Sequence, residues 1–205
     1  MPLRNLARTF IADSYYHIYN RGVNKRIIFL EDPDYQFFLS LFARHLSAKP
    51  VTDRAGREYR RLNNDVELLA YCLMPNHFHL MAYQNNEKGV LDLMLSVGTA
   101  YSMYFNRKYK RRGPLFESNY KASLISSDDY LSHISRYIHL NPEHYKNWLY
   151  SSYRAYVGKS KPPDWLRPQK VLVLFDSRAE YENFVNDYEE VKHSLDLIKA
   201  ELANY

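Results

Sequence analysis

The sequence predicts an α+β fold: a ferredoxin-like βαββαβ sandwich with an antiparallel sheet, a helix after the fourth strand and a C-terminal helical extension. Three observations over its 205 residues carry this. Segments rich in β-branched and aromatic residues alternate with segments of helical apolar spacing, in the order β-α-β-β-α-β. Pro75-Asn76 supplies turn chemistry between the second and third strands. A further helix opens directly after the fourth strand and must stop before Pro142, because proline disfavours helical geometry in the residue before it.

In chain order, "SYYHIYNRGV" (14–23) reads as the first strand, closing at Asn20-Arg21-Gly22. "EDPDYQFFLSLFARHL" (31–46) has acids and Pro33 in its first turn, then Phe37, Phe38, Leu41 and Phe42 at helical spacing. Residues 47–64 are polar and basic and read as a loop or short hairpin. "DVELLAYCLM" (65–74) and "HFHLMAYQ" (77–84) are the second and third strands. Residues 88–112 predict a buried helix whose cationic end complements its dipole. "SNYKASLI" (118–125) is the fourth strand, and Ser126 or Ser127 caps the helix that follows, with Asp128 and Asp129 in its first turn. Residues 159–170 read as a linker and 177–203 as an amphipathic acidic helix.

Composition narrows the class. No stretch approaches the roughly 18 apolar residues of a membrane span, and the N-terminus lacks the h-region of a secretory signal. The single cysteine, Cys72, excludes an internal disulfide and a cysteine-based metal site. A cytoplasmic protein with no membrane partner is expected. Residues 176–205 carry eight acidic and three basic side chains, whereas the first 175 carry 25 basic and 15 acidic. A basic body with an acidic tail points to a polyanionic partner, and 20 tyrosines suit the stacking of single-stranded bases.

The chemistry concentrates in two segments. In "CLMPNHFHLM" (72–81), His77 and His79 lie two apart on a strand and share one face, roughly 7 Å apart at the backbone. In "SRYIHLNPEHY" (135–145), Tyr137 and Asn141 lie four apart and share one helix face. Two imidazoles and an amide oxygen would hold a divalent cation and leave positions open for water and a phosphate oxygen. Such a cation polarises a phosphodiester and draws charge off an attacking phenol, which at a pKa near 10 is otherwise a weak nucleophile. Imidazole ligands suit zinc and late transition metals, whereas an open site that must accept phosphate favours Mg2+ or Mn2+.

His77-Phe78-His79 resembles the His-hydrophobic-His motif of HUH single-strand endonucleases. The ordered set "YHIYNRG", "MPNHFHLM", "GPLFESNYKASLI" and "YIHLNP" resembles the single-tyrosine transposases, in the branch called REP-associated tyrosine transposases. The resemblance spans about residues 14–157, so residues 1–157 are read as the catalytic domain and 158–205 as a linker and acidic helix. It implies a divalent-metal enzyme that binds a DNA hairpin and cleaves single-stranded DNA beside it. The tyrosine attacks the phosphate, leaving a 5′-phosphotyrosine link and a free 3′-OH. Carried over by position, His77 and His79 become metal ligands, Tyr137 the nucleophile and Asn141 a third ligand. Some relatives have glutamine where Asn141 stands, and the shorter amide must reach the ion from a helix end.

Blander readings stand beside each residue. Taken alone, the histidine pair reads as polar residues on a partly covered sheet, Tyr137 as a core aromatic and Asn141 as a helix cap. Tyr130 and Tyr145 rival Tyr137 as nucleophile but lack an amide four residues on. His133 and His139 share the helix, and His139 falls on a different face from Tyr137. Arg21, Arg107, Lys108, Lys110, Arg111 and Arg112 are the candidate phosphate contacts, against a turn and a solvated helix end. Arg21 precedes Gly22, where backbone approaches a ligand. Glu117 orients a ligand or makes a surface ion pair. Two other functions remain: a hairpin-binding module for DNA or RNA that has lost cleavage, and a nuclease that uses water. A homodimer is left open, with Tyr137 serving its own subunit or a partner.

Overall fold

The computed structural model describes residues 10–187. Four strands, β1 (Ser14–Arg21), β2 (Val66–Met74), β3 (His77–Gln84) and β4 (Lys121–Ile125), form one sheet in the order β2-β3-β1-β4. Every neighbouring pair is antiparallel. Helices α1 (Asp32–Leu46) and α2 (Gly89–Lys108) are the crossovers, so the βαββαβ sandwich expected from the sequence is the observed fold. Helix α3 (Asp128–Leu140) follows β4, then the short α4 (Tyr153–Tyr156) and α5 (Gln169–Leu172), and α6 (Arg178–Asn186). Residues 187–203 of the expected acidic helix lie beyond α6, and those from 188 onward fall outside the described residues.

Local signals account for the helix ends. At α1 a capping box joins Glu31 and Asp34, whose side chains each take the other's backbone N–H. At α3 the Ser127 hydroxyl accepts from the Tyr130 amide, and the helix stops at Asn141 ahead of Pro142.

Alternation along the strands divides the sheet into two faces. Tyr16, Ile18, Leu73, Phe78, Leu80 and Ala122 pack with Phe38, Phe42, Val97, Tyr101 and Phe105 from α1 and α2. Cys72, Met81 and Ile125 pack on the other face with Ile134 and Ile138 of α3 and Tyr181 of α6. A bulge between Leu68 and Ala70 shifts the register of β2 on β3. Strand β2 thereby changes its alternation midway, and Leu69 and Cys72 join the α3 side.

Residues 159–170 are pinned rather than free, unlike the linker the sequence implied. Trp165 and Leu166 are buried in the α1–α2 core, and the Arg167 amide donates to the Leu68 carbonyl at 2.8 Å. Upstream, the Leu73 and Ser152 amides bond the Tyr150 and Tyr71 carbonyls. Together these segments occupy the outer edge of β2, satisfying backbone groups that an open edge leaves unpaired. Hydrophobic spacing is weak there because the pinning is by backbone pairing and one aromatic.

Candidate active site

The α3 face of the sheet is where the candidate residues meet. His77 and His79 project from β3 with ring centroids 5.1 Å apart. Tyr137, from the middle of α3, sets its ring edge-on to His79 at 5.3 Å. Asn141, at the C-terminal cap of α3, directs Oδ1 to His77 Nε2 at 3.4 Å. The shorter amide therefore does reach His77. His139 does not join them: it is buried between Tyr181 and Ser152, which engage Nδ1 and Nε2 at 2.7 Å each. Tyr145 bonds Asn186 on α6 instead, and the His133 ring lies 5.7 Å from Phe184 of α6.

The hydrogen bonds around His77 assign its proton. Asn76 Nδ2 donates to the Lys25 carbonyl, so its Oδ1 faces His77 Nδ1 at 2.7 Å as an acceptor. Asn141 Nδ2 likewise donates to the Tyr137 carbonyl at 2.9 Å, so its Oδ1 also faces His77 as an acceptor. Burial lowers the pKa of His77, and the Asn141 oxygen opposes that shift. A neutral His77 places its one proton on Nδ1, and its Nε2 lone pair then faces the lone pairs of Asn141 Oδ1. Two acceptors 3.4 Å apart with no proton between them are poised for a cation. Adjacent ligands on an octahedral ion bound at 2.0–2.1 Å stand roughly 3 Å apart, close to the observed spacing. The spacing of His77 Nε2 and Asn141 Oδ1 therefore fits two ligands of one divalent cation. Among the described residues no three His, Cys, Asp or Glu side chains gather to form a metal site.

Sequence reasoning missed His17. It sits on β1, facing α3, with Nε2 3.0 Å from His79 Nδ1, and is 1 % exposed. Burial lowers its pKa to about 3 and takes that of His79 well below its usual value. Both rings are therefore neutral. Tyr19 lies beside them, its ring centroid 5.0 Å from His17 and 5.9 Å from His79. The available signal was strand parity: Tyr15, His17, Tyr19 and Arg21 share a face, and the fold places β1 beside β3.

Tyr137 is 9 % exposed, and burial pushes its hydroxyl up to about 12, with the Asn141 side chain pulling the other way. At neutral pH the phenol is protonated and requires activation to attack.

Arg21 pairs in register with His77 and shares its face. Its guanidinium forms a two-point contact with Glu117 at 3.0 and 3.2 Å, so the ion-pair reading of Glu117 is the observed one. Gly22 is required by its own chain: a side chain there would strike the Arg26 carbonyl and Ile28. The expected close approach is thus to the protein's own backbone. Lys108 is already matched by Asp34 and Glu31, at 2.6 and 2.7 Å. The Asp34 carboxylate also accepts from Tyr109 and Tyr104. Arg111 donates to Asn106, while Arg107, Lys110 and Arg112 are exposed at the end of α2.

Known proteins share part of this sequence pattern and the fold. Residues 53–141, which contain β2, β3, α2, β4 and all of α3 with its cap Asn141, match the family model described as transposase IS200 like. Among solved structures, the chain is similar to a REP-associated tyrosine transposase determined bound to a REP hairpin. The two are 14 % identical with a TM-score of 0.55, over 78 % of this chain and 88 % of that one. No curated protein matches the sequence significantly. The resemblance seen in the motifs is thus met by the family model over residues 53–141 and by a shared fold. No helix among the described residues is long and apolar enough to cross a membrane.

Proposed function

We propose that this protein is a DNA endonuclease and strand transferase that cleaves single-stranded DNA next to a hairpin, through a 5′-phosphotyrosine intermediate. The observation that carries it is the facing pair of acceptors, His77 Nε2 and Asn141 Oδ1, one helical turn from Tyr137. His77, His79 and Asn141 would hold Mg2+ or Mn2+, and such an ion would polarise the scissile phosphate and lower the cost of ionising the phenol. The Tyr137 hydroxyl loses its proton and attacks phosphorus, the bond to the 3′-oxygen breaks, and that oxygen takes up a proton as a free 3′-OH. The phosphotyrosine link retains the energy of the phosphodiester, so a 3′-OH can reverse the attack and join strands without a nucleotide cofactor.

Hairpin DNA as partner draws support from the solved relative, which was bound to one. Arg107, Lys110, Arg111 and Arg112 supply backbone contacts, while Lys108 acts mainly within the protein through Asp34. The chain runs from this strip to Phe116, which bridges Gly22 beside Arg21. A phosphate path can therefore lead from the end of α2 toward His77. The burial of Tyr137 favours a second reading, a hairpin-binding module without cleavage.

The deciding experiment incubates the protein and Mn2+ with hairpin oligonucleotides labelled on either end, beside Tyr137→Phe. The substrates are a hairpin pool and hairpins from the flanks of its own gene. A denaturation-resistant adduct on the 3′-side fragment, absent in Tyr137→Phe, is expected. Cleavage that survives the substitution indicates a water-using nuclease, and tight binding without cleavage indicates the binding module.

A further inference from the structure

We propose that His17 is a positioning residue that selects the tautomer of His79, keeping its proton on Nδ1 so that Nε2 presents a lone pair to the cation. This rests on the metal-centred reading above. Its observation is the contact between His17 Nε2 and His79 Nδ1 at 3.0 Å, between rings inclined by only 21° with centroids 5.1 Å apart. That is an edge-to-edge arrangement, with the N–H···N contact lying near both ring planes, rather than face-to-face stacking.

Two neutral imidazoles in such contact have one proton between them, so one donates and the other accepts. If His17 donated, His79 would carry its proton on Nε2 and have no electron pair there for a metal. If His79 donates, Nδ1 is satisfied and Nε2 is available. The arrangement at His77 follows the same logic, since its Nδ1 faces the Asn76 carbonyl oxygen at 2.7 Å. Each member of the pair thus has Nδ1 engaged by a neighbour outside the ligand set. Partners of this kind fix ring orientation and tautomer in metal-binding histidines, and their removal typically costs 10–100-fold in metal affinity.

The alternative, that His17 only fills space, is distinguishable because its position also holds the ring against movement. Tyr19 lies against His17 at 5.0 Å, and the Tyr137 ring meets it edge-on at 5.9 Å. A phenylalanine at this position keeps the packing and removes the acceptor. A glutamine replaces Nε2 with a carbonyl oxygen able to accept from His79.

The test begins with metal-free, 15N-labelled protein at neutral pH, reading imidazole tautomers from long-range proton–nitrogen spectra, with His79→Gln used for assignment. His79 protonated on Nδ1 is expected, and a proton on Nε2 overturns the proposal whatever the variants do. Mn2+ binding is then followed by water-proton relaxation in wild type, His17→Phe and His17→Gln. The phenylalanine variant is expected to lose 10–100-fold in affinity and the glutamine variant to recover most of it. Equal affinity in wild type and His17→Phe overturns the positioning role and leaves the metal reading standing. If wild type shows the Nδ1 tautomer but binds no Mn2+, the metal reading falls and the role of His17 toward it falls too. Should His17→Phe fail to fold, the wild-type tautomer and the glutamine variant decide the matter.

Discussion

On the α1–α2 face of the sheet, Tyr16, Ile18, Phe78, Leu80 and Ala82 meet apolar and aromatic side chains. On the α3 face the neighbouring positions of the same strands are His17, Tyr19, His77 and His79, gathered around Tyr137. Both faces bury apolar side chains, yet only the α3 face also encloses a cluster of imidazoles. Fully burying a large apolar side chain contributes about 1.5–3 kcal/mol, whereas a buried imidazole must give up its charge or find a partner. The first face therefore stabilises a sheet whose second face can carry polar groups in fixed positions. Preorganised ligands need such a platform, because a site is only as accurate as the elements that hold it.

Substitutions on the two faces should separate activity from stability. Tyr137→Phe has the largest expected effect: loss of the protein–DNA adduct altogether, with a thermal midpoint close to wild type because the ring still packs. A collapse of stability in that variant would break the division. Phe78→Ala is the counterpart, one residue from each histidine but on the opposite face. It should cost about 3–5 kcal/mol in urea unfolding, as large aromatic truncations in cores do.

At the rim of the first face, Lys108→Met leaves Asp34 with its tyrosine and amide partners but no cation. The Asp34 carboxyl is held below its usual pKa, with burial opposed chiefly by Lys108. A loss of about 2 kcal/mol is expected by denaturant titration, with hairpin binding little altered. A large fall in DNA affinity instead would restore Lys108 to the phosphate contacts.

Acid should act through the second face. Burial lowers His17 and His139 to about 3, and burial together with the neighbouring His17 and His77 rings lowers His79 strongly. Below pH 6.5 the unfolded chain takes up protons that these folded rings refuse, so stability falls as pH drops from 6.5 toward about 3. The slope is on the order of 1.4 kcal/mol per pH unit for His17 and for His139, or about 2 kcal/mol for each by pH 5, with His79 acting in the same direction. Urea midpoints at pH 7 and pH 5 measure it, and His17→Gln should flatten the dependence by one ring. The smallest effect is at the exposed end of α2. Arg112→Ser should weaken DNA binding evenly across sequences and reduce the slope of log K against log salt by about 1.

Much of this was legible before any coordinates. Strand β3 begins and ends where alternation put it, α3 stops where Pro142 required, and the order of elements matched the sheet topology. Tyr137, Asn141, His77 and His79 could be placed on shared faces because strand and helix periods are local properties of the backbone. The β2 bulge, the edge pairing by residues 166–167 and the partner of His79 were not legible, since each is a contact between segments distant in sequence.

By itself the sequence determined which side chains belong to the main strands and helices and, outside the bulged part of β2, which face each one takes, because those follow from covalent geometry and hydrophobic spacing. Tertiary structure alone decided that Asn141 reaches His77, that Lys108 is matched by Asp34, and that His17 lies against His79. Those outcomes depend on strand register and on how helices cross the sheet. Packing sets both over the whole molecule, and no local window of residues contains it.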